Sequence, residues 1–331
     1  MKSWCVLAFL WFTCLCRGSP SCPPQCKCFW RRAEVVCNEV ALTEFPSEGL
    51  QKNTTMVTIQ NTNISSITED HLNATPQLQE LHLYSNHLRS LSSHLLRGVP
   101  RLHTLDLTEN KLSQLPTDVF SHAPLSNLVL KNNQIEKVDA NWFPNNSNLT
   151  WLDVSGNLLS RIPASLLQKL SQLENLDVSN NRVDKIPSNV FSPLTKLERL
   201  NLQDNRLTSL DATTFQSTSK VLYLYLSRNK LSKLPQDLFQ GLSQLKVLSL
   251  DDNQLRHIPT GLLDPLTSLD DEGLDLTGNP WLCDGKMKYL WRWLQKNRSK
   301  LFLADGITCA RPQSLAGRSI VSLAESELEQ S

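Results

Sequence analysis

Apolar residues return along this chain in a fixed order. Aliphatic side chains fill positions 1, 4, 6 and 11 of a string whose ninth residue is asparagine, and the string recurs every 24 residues. It reads LQELHLYSNHL from Leu78, LHTLDLTENKL from Leu102, LSNLVLKNNQI from Leu125 and LTWLDVSGNLL from Leu149. It continues as LENLDVSNNRV from Leu173, LERLNLQDNRL from Leu197, VLYLYLSRNKL from Val221 and LKVLSLDDNQL from Leu245. The asparagines are Asn86, Asn110, Asn133, Asn157, Asn181, Asn205, Asn229 and Asn253, so seven intervals run 24, 23, 24, 24, 24, 24 and 24. Weaker copies flank them around Val57–Ile64, with Thr62 in the asparagine place, and around Leu274–Asn279. An apolar residue at position 4 between polar neighbours predicts a short strand across positions 3 to 5. One strand per copy predicts a parallel sheet with strands about 4.8 Å apart. A single copy cannot bury its own aliphatic face, so stacking has to do it.

The string resembles that of leucine-rich-repeat solenoids. The implied fold is an α/β solenoid, an extracellular horseshoe of about nine to ten 24-residue repeats with disulfide-capped ends. The asparagine sits where the chain leaves the strand, and its carboxamide both donates and accepts. It therefore matches buried backbone groups of adjacent coils that would otherwise go unpaired. Ten residues after each asparagine comes a second apolar site: Leu96, Phe120, Phe143, Leu167, Phe191, Phe215, Phe239 and Leu263. These are expected to fill the convex side of the core.

The chain opens with Lys2, an apolar run from Trp4 to Leu15, and a short polar stretch through Ser19. That reads as a secretory signal over residues 1–18, with a boundary good to about five residues. A cysteine cap over 19–52, repeats over 53–276 and a C-terminal cap with a polar tail over 277–331 follow. Cys5, Cys14 and Cys16 leave with the signal. Cys22, Cys26, Cys28 and Cys37 remain before the repeats, with Cys283 and Cys309 after them. An even set at the two ends of an exported chain reads as disulfides rather than metal ligands, although spacing leaves the N-terminal pairing open. Sequons begin at Asn53, Asn63, Asn73, Asn145, Asn148 and Asn297, and occupied ones mark faces that a partner does not use. Losing Lys2 and Arg17 leaves 31 basic and 32 acidic residues, a balance that excludes nucleic-acid binding through bulk positive charge. A secreted protein without a membrane anchor is expected.

With the core assigned, positions 2, 3, 5, 7 and 8 of each copy are free, on or beside the concave strands. Twelve acids fall there: Glu80, Asp106, Glu109, Asp153, Glu174, Asp177, Glu198, Asp204, Asp251, Asp252, Glu272 and Asp275. Four bases accompany them: Lys131, Arg199, Arg228 and Lys246. Tyr84, Tyr223, Tyr225 and Trp151 share these positions. Aromatics set among charge have the character of interface anchors. The expected partner is a basic secreted protein, steered by the acidic field and held chiefly at Trp151, Tyr223, Tyr225, Asp106, Asp153, Asp177, Glu198 and Asp251. Ten strands span roughly 43 Å, enough to cradle a protein of about 120 residues, some 35 Å across.

Catalysis is not expected. The sequence has no metal-protease helix motif, phosphate loop, nucleophile elbow or dinucleotide fingerprint, and nothing calls for a cofactor or a metal. Asp106, Asp153 and Asp177 share position 5 and bring to mind a glycosidase pair. Aspartate is nevertheless an ordinary solvated choice there. His82 and His103 are the histidines at free concave positions.

Cys22-x3-Cys26-x-Cys28-x8-Cys37 resembles the N-terminal cap of extracellular leucine-rich-repeat proteins. GNPWLCD from Gly278, LWRWL from Leu290 and Cys309 resemble the matching C-terminal cap in a reduced form, with Gly285 where a further cysteine usually stands. The resemblance implies a single bridge there, Cys283 to Cys309, around a small core of Trp281, Trp291 and Trp293. Signal, four-cysteine cap, repeats and YLWRWLQK together resemble the group holding serum leucine-rich alpha-2-glycoprotein and the beta-type phospholipase A2 inhibitors of snake blood. CPPQCKC from Cys22 inclines toward the inhibitors. That resemblance implies a plasma glycoprotein, a homo-oligomer of trimeric type, that neutralises basic group II phospholipase A2. The alternative it carries is a serum protein binding cytochrome c or growth-factor signalling components. Matrix proteoglycans and receptor ectodomains fit less well, because the chain lacks a long ear repeat and a membrane segment.

Overall fold

The computed structural model describes residues 22–145 and 147–329. The segment read as a signal, with Cys5, Cys14 and Cys16, lies outside them. The N-terminal hairpin of β1 (Lys27–Phe29) and β2 (Glu34–Asn38) starts the sheet. Parallel strands follow, one per coil: β3 (Met56–Gln60), β4 (Glu80–His82), β5 (Thr104–Asp106), β6 (Asn127–Val129), β7 (Trp151–Asp153), β8 (Asn175–Asp177), β9 (Arg199–Asn201), β10 (Tyr223–Tyr225), β11 (Val247–Ser249) and β12 (Leu274–Asp275). Among the described residues these form one twelve-stranded sheet in sequential order. Register is in phase throughout, so that Leu128, Leu152, Leu176 and Leu200 lie side by side. Each strand is short because the pattern buries position 4 and leaves positions 3 and 5 partly open, as at β8.

The return path is mostly turns, with brief helical segments α1 (Glu69–Leu72) and α2 (Ala164–Leu167). All eight second-site apolar residues are buried; the Phe120 ring lies tilted 5.1 Å from Phe143, and Phe191 lies parallel to Phe215 at 6.2 Å. Removing these side chains from water, together with the strand leucines, drives the stacking of the coils.

The asparagine ladder works as its chemistry requires. From Asn86 to Asn279, each Nδ2–H donates to the position-6 carbonyl of the preceding coil at 2.8–3.0 Å. From Asn110 onward, each Oδ1 accepts the position-11 N–H of that coil at 2.9–3.0 Å. At the first coil, the Thr62 hydroxyl donates to Asn86 Oδ1 at 2.5 Å in place of a backbone N–H. Position 8, just before the ladder, takes left-handed backbone in ten coils from Asn61 to Gly278, with φ between 50° and 67°. Asparagine and glycine tolerate that conformation best.

The ends are closed differently. Cys22 bonds Cys28 and Cys26 bonds Cys37, which ties the hairpin to itself. At the other end Cys283 bonds Cys309, linking β13 (Trp281–Leu282) to β14 (Cys309–Arg311). Helix α3 (Lys288–Lys296) turns Leu290 and Leu294 inward. Trp281 is fully buried and donates its indole N–H to Leu276 O at 3.1 Å, whereas Trp291 and Trp293 are half-buried against this core. The stretch after Cys309, polar in composition, still buries Ile320, Val321, Leu323 and Leu328. Short and interleaved with polar residues, this group did not stand out in sequence, yet it packs the segment against α3, where Trp291 and Gln295 donate to Leu323 O and Val321 O.

Candidate protein-binding face

Positions 3 and 5 of every coil place their side chains on the concave sheet. The acids and aromatics singled out there gather into three groups along a strip. Counted in coils, Asp106 to Asp251 is six gaps, about 29 Å.

The first group is built on β4 and β5. The His82 imidazole lies between two carboxylates, with Nε2 3.2 Å from Glu80 Oε2 and Nδ1 4.0 Å from Asp106 Oδ2. The neighbouring carboxylate of Asp106, and then that of Glu80, raise its pKa above the usual histidine value despite burial. Burial alone would push Asp106 upward, but the nearby His82 imidazole and the Thr108 N–H, which donates to Oδ1 at 2.9 Å, hold it below the ordinary carboxylate range. Asp106 thus has a basic neighbour within its own face. Val129 separates it from Asp153, so the three position-5 aspartates do not form one stack.

The second group is central. Trp151, 41% exposed, stands at position 3 between Asn127 and Asn175. Asp153 and Asp177 face each other directly across β7 and β8. Each uses Oδ1 to accept a position-7 N–H at 2.8 Å, from Ser155 and Ser179. Asn201 donates to the other oxygen of Asp177 at 2.8 Å. Burial raises the Asp153 carboxyl above its ordinary value, and the charge of Asp177 adds to that. Aspartate at position 5 therefore has a local structural use, closing the turn out of the strand, while its outer oxygen faces the concave side, where that of Asp177 already accepts from Asn201.

The third group runs from β9 to β12. The Arg199 guanidinium lies 4.8 Å from the ring centre of Tyr225 and 5.9 Å from that of Tyr223. Stacking of this kind contributes about 0.5–1 kcal/mol at a partly exposed site and holds both rings in place. Arg228 reaches Asp204 at 3.4 Å and Asp252 at 3.9 Å. Burial raises Asp251 to about 6, with the neighbouring charges of Asp275 and Asp252 acting the same way. Glu198 stays exposed at position 2, beside the start of this group.

Two of the four concave bases are thus engaged within the face, which sequence reading did not reveal. The 24-residue spacing of Arg199 and Tyr223 was the available signal, since residues one period apart are side-by-side neighbours. Among the described residues no cluster of histidine, cysteine, aspartate and glutamate is arranged to hold a metal ion. No helix there is long and apolar enough to cross a membrane.

The leucine-rich-repeat family matches in overlapping segments from residue 52 to residue 280, more than half of the chain. The chain belongs to the leucine-rich-repeat family. Among solved structures, this leucine-rich-repeat protein is similar to a chain of the octameric complex of Latrophilin 3, Unc5D and FLRT2. That match has a TM-score of 0.69 at 27% identity and covers 92% of this chain and 98% of the other. The Drosophila Toll–Spatzle complex shares the fold alone, with a TM-score of 0.61 at 20% identity over 88% of this chain and 50% of that one. By sequence, the chain is 40% identical over 55 residues to phospholipase A2 inhibitor beta of Elaphe climacophora, a segment covering 17% of each. It is 36% identical over 58 residues to mouse reticulon-4 receptor-like 2, which is 18% of this chain and 13% of that protein. The matched segments therefore span less than a fifth of either relative.

Proposed function

We propose that this protein binds and inhibits a basic group II phospholipase A2 through the concave face, without catalysis of its own. The observation that carries the reading is the central pair Asp153 and Asp177, adjacent in register beside the exposed Trp151. Opposed carboxylates with one oxygen each held by the backbone present fixed negative charge. Their mutual repulsion is relieved when a partner's lysine or arginine enters between them. The similarity to the Elaphe climacophora and Gloydius brevicaudus siniticus inhibitors supports the same choice of partner. Covering the cationic mouth of such an enzyme blocks substrate access sterically.

The test is inhibition of a basic group II phospholipase A2 by the purified protein at several salt concentrations. Inhibition is expected to weaken as salt rises, and to fall about tenfold or more when Asp153 and Asp177 both become Asn. Trp151→Ala is expected to cost a comparable factor, as a central aromatic anchor would. Unchanged inhibition in both variants, or none in the parent protein, sinks the reading.

A further inference from the structure

Negative charge on the concave face has a counterpart on the flank. Four residues after the ladder asparagine, five of six successive coils carry a basic side chain: Lys137, Arg161, Lys185, Lys233 and His257, with Ser209 the interruption. Upstream, Glu136 and Asp184 stand one residue earlier and offset Lys137 and Lys185. Toward the C-terminal end the same earlier place holds Ser232 and then Arg256, so positive charge accumulates.

There the flank borders a groove of about 1370 Å³ between the last coils and α3. Six cations line it: Lys233, Arg256, Lys286, Lys288, Arg292 and Lys296. Lys288 meets Glu329 at 2.5 Å and Arg292 meets Glu325. For the other four, no carboxylate lies within 4.0 Å among the described residues. The acid in the wall, Asp264, already accepts the Tyr289 hydroxyl at 2.9 Å, and His257 is held by Asp284 at 3.0 Å. Tyr289, Trp293, Pro259 and Pro280 supply flat apolar surface between the cations.

We propose that this groove binds a segment of a sulfated polysaccharide. Four uncompensated cations around one concavity repel each other, and an anionic ligand relieves that repulsion. Lysine and arginine give charge-assisted hydrogen bonds to sulfate oxygens, while the C–H faces of pyranose rings suit the aromatic and proline surfaces. Ser232, Gln254 and Thr260 interrupt the wall, so it offers no continuous apolar slot for an acyl chain. Three disulfides place the protein in an oxidising compartment, where the linear polyanions are sulfated glycans rather than nucleic acid.

Calorimetry with a heparin oligosaccharide and its desulfated counterpart tests this on the full chain. A Ser299→Ala form serves in parallel, because it removes the Asn297 sequon beside Lys296 and spares the Asn297 bond to Trp293 O at 2.9 Å. The sulfated probe is expected to bind in at least one of the two forms, with affinity falling as salt rises. The combined K233Q/R256Q/K286Q/K296Q variant is expected to lose about tenfold or more, against less than about twofold for K137Q/R161Q/K185Q. Circular dichroism melts show that the variants fold, and phospholipase inhibition by the four-site variant is read separately, so the two readings fail independently. Equal binding of the desulfated probe overturns the proposal. So does equal loss in the two variants, or tighter binding of single-stranded DNA or of anionic phospholipid vesicles than of the sulfated probe.

Discussion

Positions 5 and 9 of the repeat are both polar and only four residues apart, yet they behave in opposite ways. Position 9 is asparagine in eight successive coils, is buried, and from Asn110 onward makes the same bonds each time. Position 5 runs His82, Asp106, Val129, Asp153, Asp177, Asn201, Tyr225 and Ser249 through the same coils. A buried place between two coils must answer fixed backbone donors and acceptors, and one side chain fits both. A place facing solvent meets at most one turn N–H of the backbone and otherwise only neighbouring side chains, so it is free to vary and to carry recognition. Uniformity marks the frame and variation marks the working surface.

The largest test of that contrast is Asn181→Ala. Asn181 donates to Val154 O, Val178 O and Ser179 O at 3.0, 3.1 and 3.0 Å and accepts from Leu159 N at 2.9 Å. Stranding these buried groups is expected to cost about 3 kcal/mol in urea unfolding. A cost near zero would remove the ladder from the account of stability.

Asp251→Asn comes next and carries a pH signature. Its carboxyl rises from 3.8 to about 6 in the folded state, so the charged form is the disfavoured one. Its favourable contribution is complete below 3.8 and is lost as pH rises through 6. The variant is therefore expected to be more stable than the parent at pH 7, by about 1 kcal/mol after screening of a half-exposed group, with no gain near pH 3. Urea midpoints at the two pH values check it, and a gain confined to the acid side contradicts the sign.

The smallest effect is expected at the end of the ladder. Thr62→Asn restores the usual residue where a hydroxyl now stands, and thermal unfolding should move by no more than about 0.5 kcal/mol either way. A larger loss would show that the first coil needs its hydroxyl for closure against the N-terminal cap.

The repeat register was legible because an interior shared by every coil imposes one pattern, and the same register named the concave columns. Tertiary packing decided which concave groups act together. Asp106 is set apart from Asp153 by Val129 and is drawn to His82, while Arg199 is spent on Tyr225. The C-terminal groove was invisible in sequence, because its cations come from two coils, from the turn holding Lys286 and from α3, and no single period links them. By itself, then, the sequence determined the solenoid, its spacing and its buried ladder, since these repeat local chemistry one coil at a time. The pairing of Cys22 with Cys28, the grouping of the concave charges and the cationic groove were decided in three dimensions. Each depends on which of several equally suitable partners the closed ends and the curvature bring within a few ångströms.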